Sequence, residues 1–281
     1  MRELDGDSLG GAADAGAGVA LAAASQRRSG RAWLANLPVQ FSLAFLIVLA
    51  LWQAGVMVLD VPVFMLPPPS DVLIAFRDYG DRLLAEAAIT LFETLLGLIA
   101  GVALGIATGL AVSLSPLMAR LLSPLLVVSQ SLPVFALAPL LVLWLGFGLS
   151  SKIVMTSLVI YFPVASSFAD GLNRTEPGLM DLGRLMKARR FDLLRLIRVP
   201  AALPALVTGI RVAAVYAPIG AVIGEWVGAS HGLGLLMVQA NARMQTALLF
   251  AALTVLAVAT IALKILVDRL TARLIPWVET T

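Results

Sequence analysis

The chain has 281 residues, of which 60% are hydrophobic and only 13% charged, with a formal net charge of +3 and a mean hydropathy of +0.95. A soluble domain carries about a quarter charged residues, so much of this surface is expected to face lipid. Zero cysteines exclude disulfides, thiolate metal sites and cysteine nucleophiles, and the single histidine, His231, leaves no set of side chains from which to build a zinc site.

Residues 1–32, most of a tail expected over 1–38, are mainly small or polar, with an Ala/Gly run near Asp5, Asp7 and Asp14. That run lacks the basic start and bulky apolar centre of a signal peptide. It is expected to be a disordered tail, ending in Arg27, Arg28 and Arg31. Six apolar segments follow, at about 39–59, 87–115, 121–149, 153–170, 201–225 and 245–268. Each is long enough to be read as a transmembrane helix. An all-α membrane protein with six crossings is therefore expected.

Between the first two, Pro67–Pro69 stop any helix, and Ser70 is a plausible N-cap for a short surface helix ending near Tyr79. The third segment carries Pro124, Pro133 and Pro139. It is expected to be one bent crossing, closed by a tight turn at 146–151. Gly97, Gly101, Gly105 and Gly109 recur every four residues and form a smooth stripe for close helix packing.

Orientation follows from Lys and Arg. With the N-terminus inside, fifteen fall on the inner side and four (Arg77, Arg82, Lys152 and Arg243) outside, with Arg211 inside a helix. Both termini are thus expected to be cytoplasmic. The largest inner loop, 171–200, holds Arg174, Arg184, Lys187, Arg189, Arg190, Arg195 and Arg198. Topology alone accounts for its charge. It does not account for Leu182, Leu185 and Met186, then Phe191, Leu194 and Ile197, recurring at helical spacing around the polar run KARRFD. The pattern reads as two short amphipathic helices joined by a bend, which would suit docking into a partner's groove.

Within the apolar segments Glu93 and Arg211 are candidate pathway charges. They could equally form one structural ion pair, or each bond to backbone. Glu225 and Trp226 read as a solvated acid beside an interfacial aromatic, and His231 as exposed in an outer turn. Asn241, Arg243 and Gln245 could touch a solute or a docking protein. There is no GxxxxGK[ST] phosphate loop, so ATP would have to be bound by another chain.

In the loop, Asp181, Leu182 and Gly183, then Lys187, then Ile197, Val199 and Pro200 keep the spacing of the E-A-A, three residues, Gly, nine residues, Ile, any residue, Leu-Pro motif. With the flanking FADGLNRTEP and PAALPALVTGIRVAA, and with SLPVFALAPLLVLWLGFG and GEWVGASHGLGLLMVQANARMQT, the chain resembles the permease subunits of bacterial ABC importers over about residues 40–277. The likeness is to the nitrate/sulfonate/taurine branch, nearest to permeases for pyrimidine precursors of thiamine. It implies a type I importer permease fold in the bacterial inner membrane and a homodimer of two copies. It also implies ATPase subunits that bind ATP and Mg, an external solute-binding protein, and no cofactor or nucleic acid for this chain. ATPase coupling would fall to Asp181, Leu182, Gly183, Leu185, Lys187, Ile197 and Pro200. The motif's Gly is Lys187 here. Either the docking geometry is altered, or the helix continues through Lys187. A self-contained secondary transporter or channel is the alternative, and it would rely on Glu93 and the proline-rich third segment. A membrane enzyme is disfavoured by the lack of a catalytic cluster.

Overall fold

The computed structural model describes residues 37–277; the tail expected at 1–38 lies almost wholly outside them. The chain forms two units, divided after Val61. In the first, α1 runs from Leu37–Val58.

Every regular element among the second unit's described residues is a helix. Its first helix, α2 (Pro69–Leu114), is 46 residues long, or roughly 70 Å at ~1.5 Å per residue. That is over twice the ~30 Å apolar core of a bilayer. Its first half carries Asp71, Arg77, Asp78, Asp81, Arg82 and Glu86 and would extend beyond the apolar layer. The separate surface helix expected at 70–79 is therefore the first part of α2. The N-cap is Pro68, with Pro69 opening the helix, so Ser70 does not cap it. Only Gly80 interrupts good helix formers between Tyr79 and Ala87, too weak a breaker to end the helix.

The third apolar segment is two helices, α3 (Pro116–Ser131) and α4 (Val134–Leu145). They bend by 104° across the break before α4. Pro133 makes that break, while Pro139 stays inside α4. Gly146, at φ +81°, ends α4. The expected turn at 146–151 closes early, because α5 (Leu149–Asn173) already includes Ser151 and Lys152.

After α5 come α6 (Pro177–Leu185), α7 (Arg190–Leu193) and a five-residue π-helical segment, Leu194–Arg198. This leads directly into α8 (Val199–Gly228). The short α9 (Leu233–Ala242) precedes α10 (Thr246–Ala272). Among the described residues four helices are long and apolar enough to cross a membrane, and the bent pair α3–α4 would make a fifth crossing if it is one span.

The core lies where α5 meets α2 and α8, around Ile160, Val164, Phe168, Ala202, Ala213, Ala214 and Ala217. The glycine stripe of α2 explains how close the helices come. A β-carbon on Gly101 would lie 2.6 Å from Ile160, on Gly105 2.8 Å from Val164, and on Gly109 2.9 Å from Phe168, with Thr156 against Gly97. Four glycines thus mesh with four α5 side chains spaced by the same four residues. Outward-facing Phe92, Ile99, Val258 and Ile261 are exposed, as lipid contact requires.

Candidate functional site: the interhelical loop and the buried charges

The segment between α5 and α8 holds two helical pieces around a sharp corner. Helix α6 closes with Ala188 N–H on Gly183 O at 3.1 Å and Lys187 N–H on Arg184 O at 2.9 Å. This 6→1 and 5→2 pair is a Schellman motif, whose C′ residue must be left-handed. That residue is Lys187, at φ +56°. The helix therefore does not continue through Lys187; the position demands a conformation that glycine adopts more cheaply. The second piece opens where the Asp192 carboxylate accepts from Arg189 N–H at 3.3 Å.

The corner folds α6 back onto α7 and the π-helical segment. A β-carbon on Gly183 would collide with Leu193 and lie 3.1 Å from Ile197, so Gly183 is the contact point between the two pieces. Gly183, Leu193 and Leu194 are buried, and Ile197 and Pro200 partly so. Asp181, Leu182, Leu185, Met186, Lys187 and Phe191 are exposed, Leu185 by 80% and Met186 by 75%. The seven residues singled out in the sequence thus divide. Gly183 and Ile197 lie at the contact between the two pieces and Pro200 opens α8, while Asp181, Leu182, Leu185 and Lys187 are exposed.

Arg198 fixes this loop to the membrane helices. Its guanidinium donates to Leu172 O (3.0 and 3.1 Å), Ser113 O (3.2 Å) and Asn173 Oδ1 (3.4 Å). It therefore caps the C-terminal carbonyls of α5 and α2 together, a favourable place for a cation.

The charges within the helices pair otherwise than expected. Glu93 and Arg211 do not meet. Glu93 Oε1 accepts from Lys152 Nζ at 2.5 Å, with both side chains almost fully buried. Lys152, counted among the outer-loop charges from sequence, is thus an interior residue of α5. Its position in the first turn of that helix is unfavourable for a cation, and Glu93 offsets this. Glu93 Oε2 is buried without a hydrogen-bond partner. A cavity of about 470 Å³ adjoins the pair, lined also by Phe147, Ser230 and His231. Arg211 Nε instead lies 3.3 Å from Asp268 Oδ1 and 3.4 Å from Thr271 Oγ1, and Asp268 is shared with Lys264.

Glu225 is not a solvated acid: it is fully buried. Its Oε1 accepts from Thr90 Oγ1 at 2.7 Å and its Oε2 from Gly234 N–H at 2.5 Å. Thr90 Oγ1 in turn accepts from Leu233 N–H at 2.8 Å, and Glu86 Oε2 from Gly232 N–H at 2.6 Å. The first donors of α9, which no local side chain caps, are met by groups from α2 and α8. Gly232, at φ +119°, has no room for a β-carbon against the Glu225 carboxylate. Trp226 and His231 are exposed, as are Asn241, Arg243 and Gln245. Among the described residues no group of three or more His, Cys, Asp or Glu could hold a metal ion.

The fold and these sites define a polytopic membrane protein with a structured loop that presents apolar side chains outside its spans. Residues 101–280 match the family described as "Binding-protein-dependent transport system inner membrane component". This covers well over half of the chain, and the chain belongs to that family. A probable ABC transporter permease protein of Haemophilus influenzae is 44% identical over 229 residues, covering 82% of this chain and 94% of that one. The riboflavin transport system permease RibX of Chloroflexus aurantiacus is 37% identical (83% and 87% covered). The formylaminopyrimidine transport permease ThiX of Halalkalibacterium halodurans is 32% identical (84% and 94%). Relatives also include permeases for taurine and aliphatic sulfonates. In fold, the chain is similar to an inward-facing MetNI methionine ABC transporter, with a TM-score of 0.60 and 22% identity over 68% of this chain and 96% of that one. The chain is thus a permease subunit of an ABC importer for small solutes, a transport subunit that is not itself the catalyst. The self-contained secondary transporter or channel is displaced by this assignment.

Proposed function

We propose that two copies of this chain form the translocation path of an importer in the bacterial inner membrane, each with six crossings and both termini cytoplasmic. Helix α1 supplies the first crossing and the bent pair α3–α4 the third. ATPase subunits, which bind ATP and Mg, dock on α6 and α7. An external binding protein delivers the solute. The observation that carries this reading is the exposed row Leu182, Leu185, Met186 and Phe191 on a loop outside the spans. Apolar side chains held rigidly at such a place gain about 25 cal/mol per Å² when a partner covers them. Asp181 and Lys187 flank the row with charges of opposite sign. Gly183, Ile197 and Pro200 act indirectly, by holding α6 against the start of α8. Arg198 would then carry a displacement of the loop to the ends of α2 and α5.

The solute we favour is a pyrimidine-type heterocycle, on the likeness to permeases named for formylaminopyrimidine and riboflavin; a sulfonate or nitrate-like solute would fit the wider branch. Glu93 and Arg211 act through their partners, as structural pairs, and not as free coupling charges.

The test is purification of tagged chain from its native membrane. An ATPase should be recovered with the wild type and lost with Leu182→Arg plus Leu185→Arg, with unchanged yield of the permease in the membrane. Equal recovery with both would overturn the docking assignment.

A further inference from the structure

A second cavity, of about 350 Å³, lies where the loop meets the membrane helices, lined by Ser113, Leu114, Arg184, Arg190, Leu194 and Arg198 among others. Three guanidinium groups share it, and only one has an anionic partner: Arg184 bonds Asp181 at 2.9 Å, with both side chains about two-thirds exposed. Arg198 bonds four times, each time to a neutral oxygen. Among the described residues Arg190 has no ion-pair partner. Ser113 Oγ is buried without a hydrogen-bond partner. The cavity therefore gathers positive charge and a free hydroxyl, and no acidic side chain is among those lining it. A positive loop needs charge but not a concavity, so topology does not explain this arrangement.

The position specifies the ligand further. Leu114 lines the cavity, and it, Leu117 and Leu121 are exposed apolar side chains at the adjoining ends of α2 and α3. The site thus lies between exposed apolar side chains at the helix ends and a charged loop, the juxtaposition that a bilayer's headgroup layer would meet. Basic pockets between membrane helices at such a level are suited to anionic headgroups, and guanidinium forks match phosphate oxygens.

We infer that this cavity binds a phosphate ester, held by Arg184, Arg190 and Arg198 with Ser113 Oγ as a further donor. A phospholipid headgroup and a soluble phosphate share that chemistry. The occupant would bridge α2, α6 and the start of α8, so it would steady the loop relative to the spans.

The experiment uses the full chain alone and needs no ATPase. Thermal stability and native mass spectrometry are read in nanodiscs of phosphatidylglycerol against phosphatidylcholine, and separately in detergent with added inorganic phosphate. Arg190→Gln and Arg184→Gln remove exposed groups and should fold. Arg195→Gln, an exposed arginine outside the cavity, is the control. Stabilisation by phosphatidylglycerol, with apparent affinity falling about fivefold per cavity arginine removed and unchanged in Arg195→Gln, supports the lipid source. The same pattern with inorganic phosphate alone supports a soluble one. No stabilisation by either, or an equal fall in Arg195→Gln, overturns the site.

Discussion

The two ends of the helical unit treat charge and apolar surface in opposite ways. Around the start of α9, Glu225 and Thr90 are buried and hydrogen-bonded, and Glu93 and Lys152 are paired and almost fully buried. Around α6 and α7, Asp181, Arg184 and Arg190 are exposed, and so are Leu182, Leu185, Met186 and Phe191. A polar group removed from water must find a partner within the fold. An apolar group left outside is unsatisfied until something else covers it. The first end is therefore held mainly by bonds within the fold, whereas on the proposed function the second is completed by a docked partner. Mutations should damage stability at one end and association at the other.

The largest effect should come from the buried end. Glu225→Leu removes the acceptor of Thr90 and Gly234 N–H and should cost roughly 3–5 kcal/mol, read as a lowered melting temperature of the purified protein. Gly232→Ala should approach it, because the new β-carbon meets the same carboxylate at a positive φ. A loss below about 1 kcal/mol for Glu225→Leu would break the contrast.

Next comes the glycine stripe, which belongs to neither end. Gly101→Leu would force α2 from α5 at Ile160 and should destabilise by about 1–3 kcal/mol. At the loop, Leu182→Arg should change the stability of the isolated chain by no more than about 0.5 kcal/mol, while ATPase recovery falls. Equal losses of stability and recovery would mean that the exposed row is part of the core after all. The smallest effect is opposite in sign. Lys187→Gly should stabilise by about 1 kcal/mol, since a side chain at a left-handed position is strained, and hydrogen exchange at Ala188 N–H should slow.

The difference between the ends also decided how much of each was legible in the sequence. The loop was legible as a unit because its structure is local: an amphipathic repeat, a corner and a proline entry lie within 24 residues, 177–200. Even the departure at Lys187 marked the residue that takes the left-handed turn. Its internal division was not legible, since nothing in the spacing says that Gly183 touches Leu193 while Leu182 faces out. At the other end the groups come from distant positions. Thr90 and Glu225 are 135 residues apart and Glu93 and Lys152 59, and Lys152 borders a turn, where a lysine usually meets water. Glu225 read as a solvated acid for the same reason, because the cap of α9 is supplied by other helices.

The sequence by itself determined that this is a polytopic helical membrane protein, where its main apolar helices fall, and which loop stands outside them. Those properties follow from hydropathy and from helix periodicity, which act over a few turns of chain. Tertiary structure decided which charge meets which: that Glu93 pairs with Lys152, Arg211 with Asp268, and Glu225 with Thr90 and Gly234. These depend on how helices far apart in sequence approach one another. In an apolar surrounding a charge takes whatever partner packing brings within reach, and one-dimensional spacing carries no record of that distance.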